Sequence, residues 1–284
     1  PRLSLVISHL HGDHFDEQFI DCVDRSTTVI IPTFHSRHLA GRLTTMGFSR
    51  VVEVDRDWCE VSGGWRVLAF TSRKSDVDAT VVVRTKDCAV IHGNDNWERW
   101  HEDDLSLVRD GLSDLDRHAV MYCSQANSAS GYPLNYETFT RDQKQRLLSQ
   151  KVARMCLAAM ANCDDLGLTT WYPYAGYSSV FVRGHDEYRT DAIFATPTRL
   201  RELIRRLEPQ APFASEVTIA EFLPGDLVEL PRGTTTAGFI RRTGLNLEEY
   251  KRASDRLLFA TGAVEKCETF RTLPSLDPKL ATSY

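Results

Sequence analysis

The chain has 284 residues, 42% of them apolar and 26% charged, a size that can bury a full core as one large domain or two small ones. Its net charge is -5 with Lys and Arg scattered, so no basic stripe invites nucleic acid, and no apolar run approaches the roughly 20 residues needed to span a bilayer. The seven cysteines are widely spaced and form no Cys-x-x-Cys pair, which argues against a disulfide framework or zinc ribbon and fits a reducing cytoplasm.

The first third alternates strand and helix signals. Leu3 to Ser8 reads as a buried strand, Phe15 to Val23 as a short helix, Thr28 to Pro32 as a second strand, and Ser36 to Met46 as a helix ended by Gly47. Strand-like runs follow at Val51 to Val54, Trp65 to Phe70, Ala79 to Arg84 and Ala89 to His92, with Gly63-Gly64 as a turn. These later strands are short and turn-linked, so this α/β chain is expected to have a mixed sheet. Thr140 to Asn162 is the clearest helix: Thr140 caps it, Gln143 sits at the capping-box position, and Leu147, Leu148, Val152, Met155, Cys156, Ala159 and Met160 form an apolar face that packs on a sheet. A second long helix runs from Thr196-Pro197 to about Leu207 and another starts near Asn246, with Phe222-Leu223-Pro224-Gly225-Asp226 as a turn between strands. With no repeat, low-complexity tract or linker, a single domain over 1–284 is the economical reading.

The most informative stretch is Ser8-His9-Leu10-His11-Gly12-Asp13-His14, where three histidines and one aspartate fall within six residues after an apolar run. In extended chain, side chains two apart point the same way, so His9 and His11 can grip one metal ion together. Asp13 and His14, past a glycine that lets the chain turn, face a second ion. Two adjacent ions need further ligands and normally a carboxylate between them. Asp95, in the turn after the strand Ala89 to His92, is the best candidate for that bridge. Nearby His92 reads equally well as a core histidine. Asp78, immediately before a strand, is favoured over Asp76, and His185 is the remaining histidine suited to the second ion; His35, His38, His101 and His118 read as surface or structural residues. Tyr132, Tyr136, Trp171, Tyr172, Tyr174 and Tyr177 fall in segments flanking the long helix and suggest a fairly large, partly apolar substrate, with Tyr132, Tyr174, Tyr177 and Arg183 as candidate substrate contacts.

His9-Leu10-His11-Gly12-Asp13-His14 resembles the His-x-His-x-Asp-His motif of the metallo-β-lactamase superfamily, and Asp95 sits where that superfamily places its bridging aspartate. The resemblance implies an αββα sandwich of two mixed sheets with helices outside and the metals at one edge between the sheets. It also implies that strands preceding the motif are missing from this sequence or supplied by a separate piece, because only Pro1 to Ser8 come before it. The hydrolytic members carry another histidine after the third or fourth strand past the motif. Here Ala69 to Asp78 holds none, so a carboxylate or hydroxyl stands in, or one position is open. Gly93-Asn94-Asp95, the run Ser124 to Pro133, Tyr172-Pro173-Tyr174-Ala175-Gly176 and Leu223-Pro224-Gly225-Asp226 are similar to the CMP-N-acetylneuraminate hydroxylase-like branch. The chain lacks the Cys-x-His or Cys-x-x-His pairs that this branch's Rieske domain needs.

With His9, His11, Asp13, His14, Asp78, Asp95 and His185 as ligands, and Asp13 and Asp95 as the catalytic carboxylates, the set holds four nitrogens and three carboxylates. Harder, oxygen-rich ligation suits iron, which activates dioxygen. The expectation is a non-haem diiron oxygenase that hydroxylates a small-molecule, natural-product-like substrate with dioxygen and an external electron donor. The alternative is a dinuclear zinc hydrolase of a phosphodiester, ester or lactone, in which the same residues hold a bridging hydroxide.

Overall fold

The computed structural model describes residues 4–61, 63–75, 77–126, 133, 136–175, 197–207, 217–221, 226–230, 238–240 and 249. Strand β1 (Ser4–Val6) pairs in parallel with β2 (Thr28–Pro32), and β2 with β3 (Val51–Val54). Helices α1 (Glu17–Asp21) and α2 (His38–Thr45) are the crossovers that parallel pairing demands. The larger sheet contains β4 (Cys59–Val61), β5 (Trp65–Thr71), β6 (Ala79–Arg84), β7 (Ala89–His92), β8 (Val120–Gln125), β9 (Thr170–Tyr174) and β10 (Thr218–Ile219), ordered β10-β9-β8-β7-β6-β5-β4. Pairing is antiparallel from β4 to β7 and parallel from β7 to β10, a mixed sheet as anticipated. The described strands of the smaller sheet all run parallel, where two mixed sheets were expected. Strands β11 (Leu227–Glu229) and β12 (Gly238–Ile240) form a separate antiparallel pair.

The layering follows from the period of two along each strand. In β2, Val29 and Ile31 pack with Leu39 and Leu43 of α2 and Ile20 of α1, while Ile30 between them faces the other way. Ile30 and Val54 meet Val67, Ala69 and Val81 of the larger sheet in the core between the sheets. Leu68, Phe70 and Val82, one residue out of step, pack instead against α3 (Glu102–Leu112), α4 (Arg141–Asp165) and α5 (Pro197–Leu207). Four layers result, helices outside and two sheets inside. No helix among the described residues is long and apolar enough to cross a membrane.

Strands β2, β3, β6 and β7 have the bounds that the sequence suggests, and α4 carries the full Thr140–Gln143 capping box. Other elements differ for local reasons. Strand β1 is shorter and partly exposed, with Val6 at 36%, so it is not a buried strand. Helix α1 starts two residues late because the Asp16 side chain accepts from the backbone N–H groups of Gln18 and Phe19. Helix α2 starts late because Arg37 adopts a left-handed conformation, and it ends at Thr45 with Met46 as its cap, followed by Gly47 at φ 91°. Strands β4, β8 and β9 and helix α3 escaped the sequence reading. The acidic first turn of α3, Glu102-Asp103-Asp104, masks a single buried face of Asp104, Leu105 and Val108. Strand β9 has Pro173 inside it, which reads as a loop signal, yet it lies between β8 and β10. The turn at 222–225 and the helix expected near Asn246 lie outside the described residues, apart from Asp226 and Glu249.

Candidate metal centre

Past β1 the chain turns tightly, with the backbone N–H groups of His14 and Phe15 both donating to the His11 carbonyl at 2.9 and 2.8 Å. Gly12 is not what permits this turn. Its φ is outside the left-handed region and a Cβ there would meet nothing within 4 Å, so a glycine is not required where the sequence suggests that one lets the chain turn. From the facing sheet, Asp78 enters at the start of β6, where its carbonyl accepts from the Ser72 N–H at 2.9 Å. Asp95 enters from the loop after β7, which four side-chain hydrogen bonds help to fix. Buried Asn94, at φ 47°, donates from Nδ2 to the carbonyls of Ala79 and His92, both at 3.0 Å. Gln125 Nε2 donates to the Asp95 carbonyl at 3.1 Å, and Asn96 Nδ2 to Thr80 Oγ1 at 3.1 Å. The sequence places Asn94 and Gln125 in stretches similar to the hydroxylase-like branch without giving either a positioning role; a non-glycine residue tolerant of positive φ inside a Gly-Asn-Asp-Asn turn is the signal for Asn94.

Gly93 anchors the same loop, its N–H donating to the Cys123 carbonyl at 2.7 Å. A Cβ on it would lie 2.8 Å from Ser124 Cβ, an atom fixed on β8. Gly93→Ala is therefore expected to destabilise the protein by about 1–3 kcal/mol, the usual cost of overpacking, read as a lower denaturation midpoint.

The polar atoms from the two sheets converge. His9 Nε2, His11 Nδ1, Asp78 and Asp95 each offer one ligand atom, all within 4.8 Å of one another. His9 Nε2 lies 2.9 Å from His11 Nδ1 and 3.5 Å from Asp95 Oδ2, and His11 Nδ1 lies 3.4 Å from the same oxygen. Asp78 Oδ1 is 4.0 and 3.8 Å from the two ring nitrogens. The other Asp95 oxygen, Oδ1, faces His14 Nε2 at 3.4 Å, and Asp13 Oδ2 is 3.8 Å from that nitrogen. One carboxylate thus divides its oxygens between two groups of ligand types.

The charges reflect this crowding. Partial burial opposes charge on Asp95, but hydrogen bonds and charge from His14 and His9 outweigh it and hold its carboxyl far below the usual range. The hydrogen bond to Asp95 raises the His14 imidazole above its ordinary value, against the effect of burial. Asp78 Oδ1 is buried without a hydrogen-bond partner among the described residues. Such an atom is costly unless something else satisfies it. Donors bound to one ion at about 2.1 Å and spaced at octahedral or tetrahedral angles lie about 3–3.5 Å apart, close to the spacings of His9, His11 and Asp95. The donor set fits a cation.

His92 and Tyr174 stand behind this group, their rings 4.9 Å apart. His92 is outside the compact ligand group, and its Nδ1 and the Tyr174 hydroxyl are buried with no hydrogen-bond partner among the described residues. Strand β9 places Tyr174 there, where a loop position was expected, and it makes Trp171 a core residue whose indole donates to Ser124 Oγ at 2.9 Å. His35, His38, His101 and His118 are exposed. Asp13 is 62% exposed. His185, Tyr132, Tyr177, Arg183 and Asp76 lie outside the described residues.

Burial, followed by the charge of His14, pushes the His92 imidazole down from 6.5 to about 4. The unfolded chain takes up this proton below pH 6.5 and the folded one only near 4, so stability is lost as pH falls through that window. Its extent is roughly 3 kcal/mol for the metal-free protein. A His92→Gln variant should show a correspondingly flatter stability profile between pH 6.5 and 4 in denaturant titrations.

No family model matches the chain. Two strain versions of a Mycobacterium tuberculosis protein named for a Rieske 2Fe-2S iron-sulfur group are 26% identical over 181 residues, 61% of this chain and 33% of theirs. The chain spans about a third of the length of these curated relatives. Among solved structures, CmlA, a diiron beta-hydroxylase from Streptomyces venezuelae, aligns over 85% of this chain and 45% of its own, with TM-score 0.43 and 16% identity. A metallo-β-lactamase-fold protein from Bacillus subtilis aligns over 77% and 75% (TM-score 0.40, 15% identity). A possible metal-dependent hydrolase from Veillonella parvula aligns over 77% and 73% (TM-score 0.40, 14% identity). In its His-x-His-x-Asp-His stretch and its four-layer order, the chain is similar to proteins of the metallo-β-lactamase superfamily.

Proposed function

We propose that this chain is a metal-dependent enzyme, a non-haem diiron oxygenase that hydroxylates a medium-to-large organic substrate using dioxygen and electrons from an external donor. The observation that carries this reading is Asp78: its buried Oδ1, without a hydrogen-bond partner among the described residues, joins His9, His11 and Asp95 in the zone where the hydrolytic relatives of the resemblance carry a histidine. A carboxylate there gives a harder, more anionic site, which favours iron over zinc. His9, His11 and Asp78 would hold one ion, Asp13 and His14 the second, with Asp95 between them and His185 completing the second set. Bound iron supplies the redox chemistry with dioxygen that no side chain of this chain can perform. The protein's own part is orientation and exclusion of water. Asn94 and Gln125 fix the Asp95 backbone, and the tilted pair of His92 and Tyr174 rings would line the inner side of the centre. Tyr132, Tyr177 and Arg183 are assigned to the substrate side, and 1–284 is read as one domain. The six described cysteines are all free, which supports a reducing, cytoplasmic location.

Metal analysis of protein prepared without added zinc tests the reading. Two irons per chain with an oxygen-sensitive ferrous form are expected. Stoichiometric zinc with esterase or phosphodiesterase turnover overturns it in favour of the zinc hydrolase, to which the three motif histidines would be suited.

A further inference from the structure

Ser8, immediately before the histidine cluster, is 9% exposed, and its single hydroxyl oxygen touches two rings. Ser8 Oγ lies 3.0 Å from His9 Nδ1 and 3.4 Å from His14 Nδ1. These rings are neighbours, with centroids 4.2 Å apart and planes tilted by 35°. Their other nitrogens face opposite oxygens of one carboxylate, His9 Nε2 lying 3.5 Å from Asp95 Oδ2 and His14 Nε2 3.4 Å from Asp95 Oδ1. One hydroxyl therefore backs a histidine from each of the two ligand groups.

An imidazole that offers its Nε2 lone pair to a cation carries its proton on Nδ1, and that proton needs an acceptor. A serine oxygen has two lone pairs and can accept from both rings at once. We propose that Ser8 is a positioning residue that holds His9 and His14 together in the Nδ1–H form and so couples the two ion positions; this rests on reading the site as a two-ion centre. His11 is separate from this device, because it presents Nδ1, not Nε2, to its group. Removing the hydroxyl leaves two poorly hydrated N–H donors and frees both rings to rotate or to move the proton to Nε2, which blocks ligation. Both positions therefore weaken together.

The test uses zinc as the probe metal, titrated into the metal-free full chain against a competing chelator, with wild type, Ser8→Ala and Ser8→Thr in parallel and the metal-free melting temperature recorded for each. For Ser8→Ala, both dissociation constants should rise about 10–100-fold, the range for losing a partner behind a metal ligand. Ser8→Thr, which keeps the hydroxyl, should return both to within a few-fold of wild type, with metal-free melting alike in all three. An alanine variant that binds two ions as tightly as wild type, or weakens at one position alone, overturns the proposal. So does a threonine variant as weak as the alanine one, or an alanine melting temperature low enough to mark a merely structural role. A wild-type chain that takes up fewer than two zinc ions sinks the two-ion reading itself, a failure that needs no variant to detect.

Discussion

Asp95→Asn is expected to abolish two-ion binding while leaving the fold intact. The amide has nearly the shape of the carboxylate, and the loop that carries it is held by Asn94, Gln125 and Gly93 and not by the carboxylate itself. Yet an amide offers only one acceptor oxygen. Whichever way it turns, an NH2 group faces either His14 or the pair His9 and His11, which now meet Oδ1 and Oδ2 respectively. One position must lose its shared anion, and both lose half of the neutralising charge. Affinity for at least one ion should fall more than about a hundredfold, since even partners behind a ligand are worth 10–100-fold, and turnover should fall at least as far. In the metal-free variant the His14 imidazole should titrate closer to its ordinary 6.5, because its largest raising influence, the hydrogen bond to Asp95, is gone. Metal stoichiometry and an NMR titration of the ring protons check the two halves of this expectation; a variant that still binds two ions at wild-type affinity contradicts the bridging role.

The second large effect concerns which metal is held. Asp78→His installs the ligand type expected of the hydrolytic pattern at a point 3.8 Å from His11 and 4.0 Å from His9. The first group would become three imidazoles and one shared carboxylate, a set that suits zinc well. Protein expressed in iron-containing medium should then shift from iron to zinc, and any dioxygen-dependent hydroxylation should drop by at least about a hundredfold, the scale on which single changes around a metal act. Asp78→Asn keeps the size and removes the charge, so it separates ligation from packing. A wild-type chain that already carries zinc, with Asp78→His leaving its metal content unchanged, rules out the role given to this carboxylate.

Strands β2 and β3 of the small sheet and the β6–β7 hairpin could be read from the sequence because each is a short, mostly apolar, β-branched run bounded by polar or charged residues. Strand β9 could not, since Pro173 and four surrounding polar or aromatic residues imitate a loop, and only its neighbours β8 and β10 make it a strand. Helix α3 was hidden for a different reason. Its buried Asp104 is stabilised by Arg56 and Arg73, ion pairs across long sequence distances that no local periodicity reveals. At the site, the spacing within His9 to His14 is local and therefore legible. That Asp78 and Asp95 come together is legible only as a consequence of β6 and β7 pairing antiparallel, which sets Val81 opposite His92 and brings the residues before one strand beside those after the other. The role proposed for Ser8 lies in two simultaneous contacts and not in any spacing, so the sequence shows the residue without its function.

The segment after β1 of the smaller sheet contributes His9, His11 and His14, and the segments before β6 and after β7 of the larger sheet contribute Asp78 and Asp95. Strand β1, which leads into the histidines, is three residues long and, among the described residues, pairs with β2. Ions held between these groups would act as a clasp across the rim of the sandwich. Chelation would then do more than silence the centre: it would let the segment around residues 8–16 swing away from the larger sheet, making that rim the first place a protease cuts and the place where unfolding begins.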